Sequence, residues 1–336
     1  MLRDRFRNTK LSSLSVRQVS MAEPPPAQID AQKFQDPLIT AKGERRAWVE
    51  LNSLDTLWFN TGTLCNLTCH HCYIESSPKN DRLVYLTARE VAEYLDEIEA
   101  RDLPASLIGF TGGEPFINPD LPQMLDDVLS RGFRALVLTN AMKPTAKCKP
   151  ALLRLRDRYG KRLTIRVSID HYGRRVHEAE RGERSWQPTI DGLLWLARNE
   201  FSLHVASRRL SGEAEAAIRQ GFAKLFAELG VAIDADDPVT LMVFPEMDAA
   251  SDVPEITEAC WGILGKSPES LMCSSSRMVV KRKGATHPAV LACTLLPYDP
   301  RFELGRSLAD ASGAVPLNHA HCAKFCVLGG GACSRP

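Results

Sequence analysis

Between residues 56 and 244, short apolar runs alternate with segments of helical period, and few architectures accommodate that order. The runs Thr56–Asn60, Leu107–Phe110, Ala135–Asn140, Leu163–Ile169, Leu203–Ser207 and Leu241–Phe244 read as strands. Thr87 and Glu90 form a capping-box pattern ahead of Val91, Tyr94, Leu95 and Ile98, which opens a helix. Leu121–Arg131 stops at Gly132 and Pro150–Tyr159 at Gly160, each glycine suited to the left-handed residue that ends a helix. Pro188–Asn199 and Glu213–Leu229 are the remaining helical segments. Strand and helix recurring at intervals of roughly thirty to fifty residues give right-handed crossovers and hence a parallel sheet. An open doubly wound sheet and a curved, incomplete barrel both satisfy this rhythm. In either, ligands gather at the carboxyl ends of the strands.

That end of the first strand carries Cys65, Cys69 and Cys72 within eight residues. Soft thiolates suit iron-sulfur clusters, and three of them on one loop can hold three corners of a cubane while leaving the fourth iron open. A closed structural site draws paired C-x2-C hooks from two places, which this spacing does not provide. Taken alone, three near cysteines remain open to zinc. The second strand ends in Thr111, Gly112, Gly113, Glu114 and Pro115, where two glycines permit close backbone approach and a carboxylate offers an acceptor for an ammonium group. Ser168 and Asp170 close the fourth strand, with Arg181 just downstream as a planar fork for a carboxylate. A strand-end cap and a surface ion pair are the plainer readings of those three.

Together these motifs resemble the radical S-adenosylmethionine (radical SAM) enzymes, whose signature is C-x3-C-x2-C after the first strand of a partial barrel. The resemblance implies an α/β fold, a partial (β/α)6 barrel with a small cysteine-rich C-terminal extension. It also implies a [4Fe-4S] cluster on Cys65, Cys69 and Cys72 that chelates S-adenosylmethionine, cleaves it reductively and yields a 5'-deoxyadenosyl radical that abstracts a substrate hydrogen. By the same resemblance Gly112, Gly113, Glu114 and Pro115 bind the methionine amino group. Ser168, Asp170 and Arg181 meet ribose and carboxylate, while His71 and Tyr73 lie in the cofactor shell. Asn140 ends the third strand at the same mouth, where it is equally a turn former.

The 42 basic and 41 acidic residues nearly cancel, so no broad positive field draws in nucleic acid, and no nucleic-acid partner is expected. No apolar run approaches the ~18 residues of a membrane span. Ten cysteines without a secretory apolar region point to metal ligation in a reducing, cytoplasmic setting. Residues 1–46 are basic, serine-bearing and weakly periodic, and are expected to be a disordered tail; residues 47–250 then form the barrel and 251–336 the extension.

In that extension Cys273 and Cys293 flank a strand-and-turn stretch at 278–284, and Cys322, Cys326 and Cys333 close the chain. The pattern looks like the SPASM or twitch extension of radical SAM enzymes and implies an auxiliary [4Fe-4S] cluster on Cys273, Cys293, Cys322 and Cys326, with Cys333 in reserve. Cys260 competes, and His319 with His321 leaves zinc open. Cys148 reads as a plain cysteine. The expected activity is that of a radical SAM oxidoreductase or maturase acting on a peptide or small molecule, served by a reductase or a flavodoxin- or ferredoxin-type electron donor. The alternative is a noncatalytic iron-sulfur or zinc protein acting as carrier or sensor. Arg208 and Arg209 meet an anionic substrate or face solvent, and the segment 245–248 is placed at the substrate side of the mouth.

Overall fold

The computed structural model describes residues 30–210, 212–246 and 252–332. A short strand, β1 (Trp48–Val49), precedes the six expected strands, β2 (Thr56–Asn60), β3 (Leu107–Thr111), β4 (Arg134–Thr139), β5 (Leu163–Ser168), β6 (Ser202–Arg208) and β7 (Leu241–Phe244). The six lie side by side in chain order, each pair parallel. Crossovers run through α1 (Ala88–Ala100), α2 (Leu121–Ser130), α3 (Lys143–Lys147), α4 (Lys149–Tyr159), α5 (Arg174–Arg181), α6 (Trp186–Arg198) and α7 (Glu215–Leu229).

The capping box at α1 forms as the sequence predicts. Thr87 Oγ1 accepts the Glu90 N–H at 3.2 Å and Glu90 Oε2 accepts the Thr87 N–H at 2.9 Å. Val91, Tyr94, Leu95 and Ile98 are its buried face. The helices cover one face of the sheet, packing on Leu57, Phe59, Ile108, Phe110, Val137, Ile165, Val167 and Val205. Alternate residues point the other way, as the two-residue pleat requires. There Trp58, fully buried, lies against Gly109, where an added Cβ would come within 2.3 Å of the indole ring. Every residue of β2 is buried, as expected of a strand covered on both faces.

Beyond α8 (Cys260–Leu264) the chain returns to the main sheet. The strand expected near 278 is β8 (Ser276–Val280), and it turns back through β9 (Ala289–Leu291) as a hairpin. Yet β8 joins the main sheet, parallel to β2 on the flank opposite β3, and β9 and β10 (Glu303–Gly305) continue outward antiparallel. The result is a mainly parallel nine-stranded sheet with unpaired ends at β7 and β10. It is an open α/β sheet compatible with a partial barrel. Val279, Val290, Leu308 and Ala311 share the core of the helical layer, while Val253, Ile256, Leu271, Phe302 and Phe325 belong to a second apolar cluster with Phe34 and Val49.

The tail also ends earlier than expected. Phe34 is buried, and the Arg46 guanidinium, 1% exposed, reaches Glu255 Oε1 at 2.5 Å and the carbonyls of Asp36, Ile39 and Leu317. β1 pairs with β11 (Val315–Pro316), fastening this stretch to the C-terminal segment. A buried cation with a carboxylate and three carbonyls is an anchor that composition alone does not reveal. The rest of the expected tail, residues 1–29, lies outside the described residues. Among the described residues no helix is long and apolar enough to cross a membrane.

Candidate functional site

β2 delivers the chain into a long loop that carries the three cysteines. The loop is pinned at its base: the Thr63 N–H donates to the Leu83 carbonyl at 3.0 Å and the Cys65 N–H to that of Ser77 at 3.1 Å. Backbone N–H groups also point at two sulfurs, Leu67 at Cys65 Sγ (3.4 Å) and Ser76 at Cys72 Sγ (3.3 Å). All three thiols are free and face one cavity of about 160 Å³ at the carboxyl ends of the strands. Burial pushes the Cys65 thiol up to about 12 and Cys69 up to about 11, with Arg181 opposing the rise at Cys69. Without a Lewis acid both stay protonated near neutrality.

The glycines after β3 serve a purpose other than the one expected. A Cβ on Gly112, whose φ is +142°, would meet the Gly62 carbonyl oxygen at 2.5 Å, and one on Gly113 would meet that of Leu64 at 2.2 Å. Their close partner is thus the backbone of the cysteine loop, tied on by Gly113 N–H to Gly62 O (2.8 Å) and Glu114 N–H to Leu64 O (3.1 Å). Both glycines still line the cavity; Glu114 and Pro115 do not. The Glu114 carboxylate, 2% exposed, accepts from Thr139 Oγ1 (2.8 Å), the Asn140 N–H (2.8 Å) and the Phe116 N–H (3.2 Å). Burial raises it to about 7 against those hydrogen bonds. In this structure the Glu114 side chain locks the end of β4 to the glycine turn. Asn140 continues the lock, donating from Nδ2 to Asn66 Oδ1 at 2.9 Å inside the cysteine loop.

Ser168, Asp170 and Arg181 converge on the same cavity, with His71 and Tyr73. Asp170 is buried between two guanidinium groups. Arg181 Nη2 donates to Oδ1 at 3.1 Å, while its Nε comes within 2.7 Å of Oδ2 without hydrogen-bond alignment, and Arg208 Nε lies 3.3 Å from Oδ1. Burial would raise the Asp170 carboxyl, but the two arginines overcome it and hold it at about 2. Arg208 also pairs with Glu180 and donates to the His71 carbonyl at 2.8 Å. Glu180 in turn accepts the His70 N–H on its carbonyl (2.8 Å) and the His71 N–H on Oε1 (2.9 Å), with His71 Nδ1 2.7 Å from Oε2. The His70–His71 stretch, between Cys69 and Cys72, is therefore clamped by α5 and the end of β6. Arg208 is engaged in this network rather than presented alone to an anion or to solvent.

Residues 59–207 match the family model of the Radical SAM superfamily. The chain carries a radical SAM domain. A domain of this kind implies S-adenosylmethionine and a [4Fe-4S] cluster. AlbA of Bacillus subtilis, an antilisterial bacteriocin subtilosin biosynthesis protein, is 30% identical over 143 residues, 42% of this chain and 30% of AlbA. The mycofactocin maturase MftC of Mycobacterium tuberculosis is 28% identical over 138 residues, 41% of this chain and 33% of MftC. The matches span about a third of the length of these curated relatives. In fold, the chain is similar to native anSMEcpe with bound AdoMet, at a TM-score of 0.57 and 13% identity, covering 78% of this chain and 81% of that one.

Around the radical SAM domain, the C-terminal segment closes the cavity with Leu295 and Phe325, the latter's ring centred 5.8 Å from that of Phe244 on β7. Cys273, Cys293, Cys322 and Cys326 pack around one cluster of apolar side chains. Cys273 and Cys293 are near enough to act electrostatically on Cys322, whose thiol burial drives well upward. Cys322 and Cys326 lie on a π-helical turn, Cys322–Leu328. Cys333 lies outside the described residues, as do Met247 and Asp248 of the expected 245–248 segment. Cys260 is held in its own turn, with Sγ 3.3 Å from the Thr257 N–H. Among the described residues no three His, Cys, Asp or Glu side chains converge as closely as a single metal ion demands.

Sequence reasoning missed Glu180 and the structural duty of Arg208. The available signal was weak: α5 is almost wholly polar, so hydrophobic periodicity does not mark it as a helix.

Proposed function

We propose that Cys65, Cys69 and Cys72 hold a [4Fe-4S] cluster, that S-adenosylmethionine occupies the cavity beside it, and that the chain is a maturase acting on a peptide. The observation that carries the reading is convergence: three free thiols, the paired glycines, Ser168 and the Asp170–Arg181 pair all border one cavity. A carrier or sensor would need the thiols alone. When bound, the cluster supplies the electron that cleaves the sulfonium, and the cofactor supplies the hydrogen-abstracting group.

The protein's own residues bind, orient and exclude water. Gly112 and Gly113 fix the cysteine loop against β3, and Ser168 and the Arg181 guanidinium offer polar contacts to the cofactor. Glu180 and Arg208 hold the segment between Cys69 and Cys72. Leu295, Phe325 and Phe244 wall the cavity with apolar surface, which keeps water from a reactive species. Peptide chemistry is favoured because two of the relatives are a bacteriocin biosynthesis protein and a mycofactocin maturase; the similarity to an AdoMet-dependent heme synthase keeps a small-molecule substrate as the second reading. We further assign an auxiliary [4Fe-4S] cluster to Cys273, Cys293, Cys322 and Cys326, since all four pack on one apolar cluster.

Anaerobic reconstitution with iron, sulfide, a low-potential reductant and S-adenosylmethionine tests the main reading. The expected product is 5'-deoxyadenosine; none from fully loaded protein contradicts it.

A further inference from the structure

Arg277, on β8, is 1% exposed. Its guanidinium donates to four carbonyls: Nε to Ala311 (2.8 Å), Nη1 to Cys273 (2.6 Å) and Ser276 (2.8 Å), and Nη2 to Gly313 (3.0 Å). No carboxylate lies among these partners. Other buried arginines are paired with carboxylates: Arg46 with Glu255, and Arg181 and Arg208 with Asp170. Carbonyl dipoles satisfy the donors without cancelling the charge, and an uncompensated buried charge is costly. Among the described residues, the ionisable groups that act on Arg277 are the thiols of Cys273 and Cys293. A site with a permanent cation and no fixed anion is built for an anion that arrives later.

We propose that Arg277 is the charge partner of the cluster assigned to Cys273, Cys293, Cys322 and Cys326, favouring its one-electron reduction. The inference rests on the auxiliary-cluster reading. Four thiolates around a [4Fe-4S] core leave the assembly net negative, and reduction of the core by one electron adds a further charge. A guanidinium fixed to the Cys273 carbonyl makes that addition more favourable, and burial leaves little solvent to screen it. Arg277 is thus a positioning and charge-compensating residue, with no direct part in hydrogen abstraction.

The test uses the full chain with Cys65, Cys69 and Cys72 all changed to Ala, so that only the C-terminal site can hold iron. Iron content and an EPR-monitored titration with dithionite are compared for Arg277 intact, Arg277→Lys and Arg277→Gln, with thermal melts alongside. If the parent with Arg277 intact binds no iron, the auxiliary-cluster reading itself fails. If it binds iron, the expected pattern is a lowered melting temperature in both variants, because the carbonyl fork is lost. Only Arg277→Gln should shift to lower midpoint potential or lose the cluster. The proposal is overturned if Arg277→Gln keeps its iron at the parent potential, or if Arg277→Lys behaves like Arg277→Gln.

Discussion

Gly113→Ala is the sharpest probe of the contact between the glycine turn and the cysteine loop. The new methyl would stand 2.2 Å from the Leu64 carbonyl oxygen, 2.6 Å from its carbon and 2.7 Å from the Thr63 carbonyl oxygen. All three are backbone atoms, and the nearest is more than an ångström short of ordinary contact, so no side-chain rotation relieves the overlap. The loop bearing Cys65 must move by about the same distance or the turn must open. Overpacking of this kind costs roughly 1–3 kcal/mol, which a chain of this size can survive. The effect on function is larger, because displacement of catalytic groups by about 1 Å can cost on the order of a hundredfold in rate. The expected result is a folded protein with a modestly lowered melting temperature, incomplete iron at the first site, and 5'-deoxyadenosine formation reduced by roughly a hundredfold. Gly262→Ala is the control, since nothing stands within 4 Å of its added Cβ. Full iron and unchanged turnover in Gly113→Ala would refute the claim that this contact sets the position of the loop.

Asp170→Asn leaves Arg181 and Arg208 facing each other without their shared anion and should destabilise the fold by about 3–5 kcal/mol in urea titration. Glu180→Ala removes the side-chain acceptor of the His71 N–H while leaving the backbone carbonyl that holds His70, and should speed iron loss to a chelator several-fold while most of the melting temperature is kept; Glu180→Gln, which keeps a side-chain oxygen as acceptor, should fall between. Glu114, raised to about 7 by burial, binds a proton more tightly folded than unfolded, so the apo-protein should lose stability as pH rises from about 4.5 to 7. Glu114→Gln should flatten that slope, measured by urea melts across the range. Asp170 has the opposite sign: held down at about 2, it contributes stability above its unfolded value near 3.8 that is lost as pH falls toward 2.

The parallel sheet was legible because its strands are apolar runs and its crossovers have strong period and caps, as at Thr87 and Glu90. The residues of the first site were legible because their spacing is short-range: Cys65, Cys69 and Cys72 share one loop, and Gly112 and Gly113 one turn. What escaped depends on pairing between distant segments. Glu180 and Arg208 are ordinary charges in sequence, and only folding sets them against the His70 and His71 backbone. Arg46 and Phe34 read as tail because their partner Glu255 lies some two hundred residues away. Glu114 was assigned by its motif to a ligand, while its hydrogen bonds to Thr139 and Asn140 needed coordinates to be seen. Burial of a carboxylate leaves no periodic trace.

The parallel seam between β8 and β2 has a practical reach beyond the site. A strand whose five residues are all buried cannot serve as a sheet's outer margin without exposing a row of unpaired amides to other chains. Truncating the protein after β7 would create that margin beside the cysteine loop, and the fragment should clump rather than survive as a minimal enzyme. Grafting the C-terminal portion onto another barrel would meet the same obstacle in reverse. Whatever chemistry the two cysteine groups perform, the shared sheet makes them one object to express and to engineer.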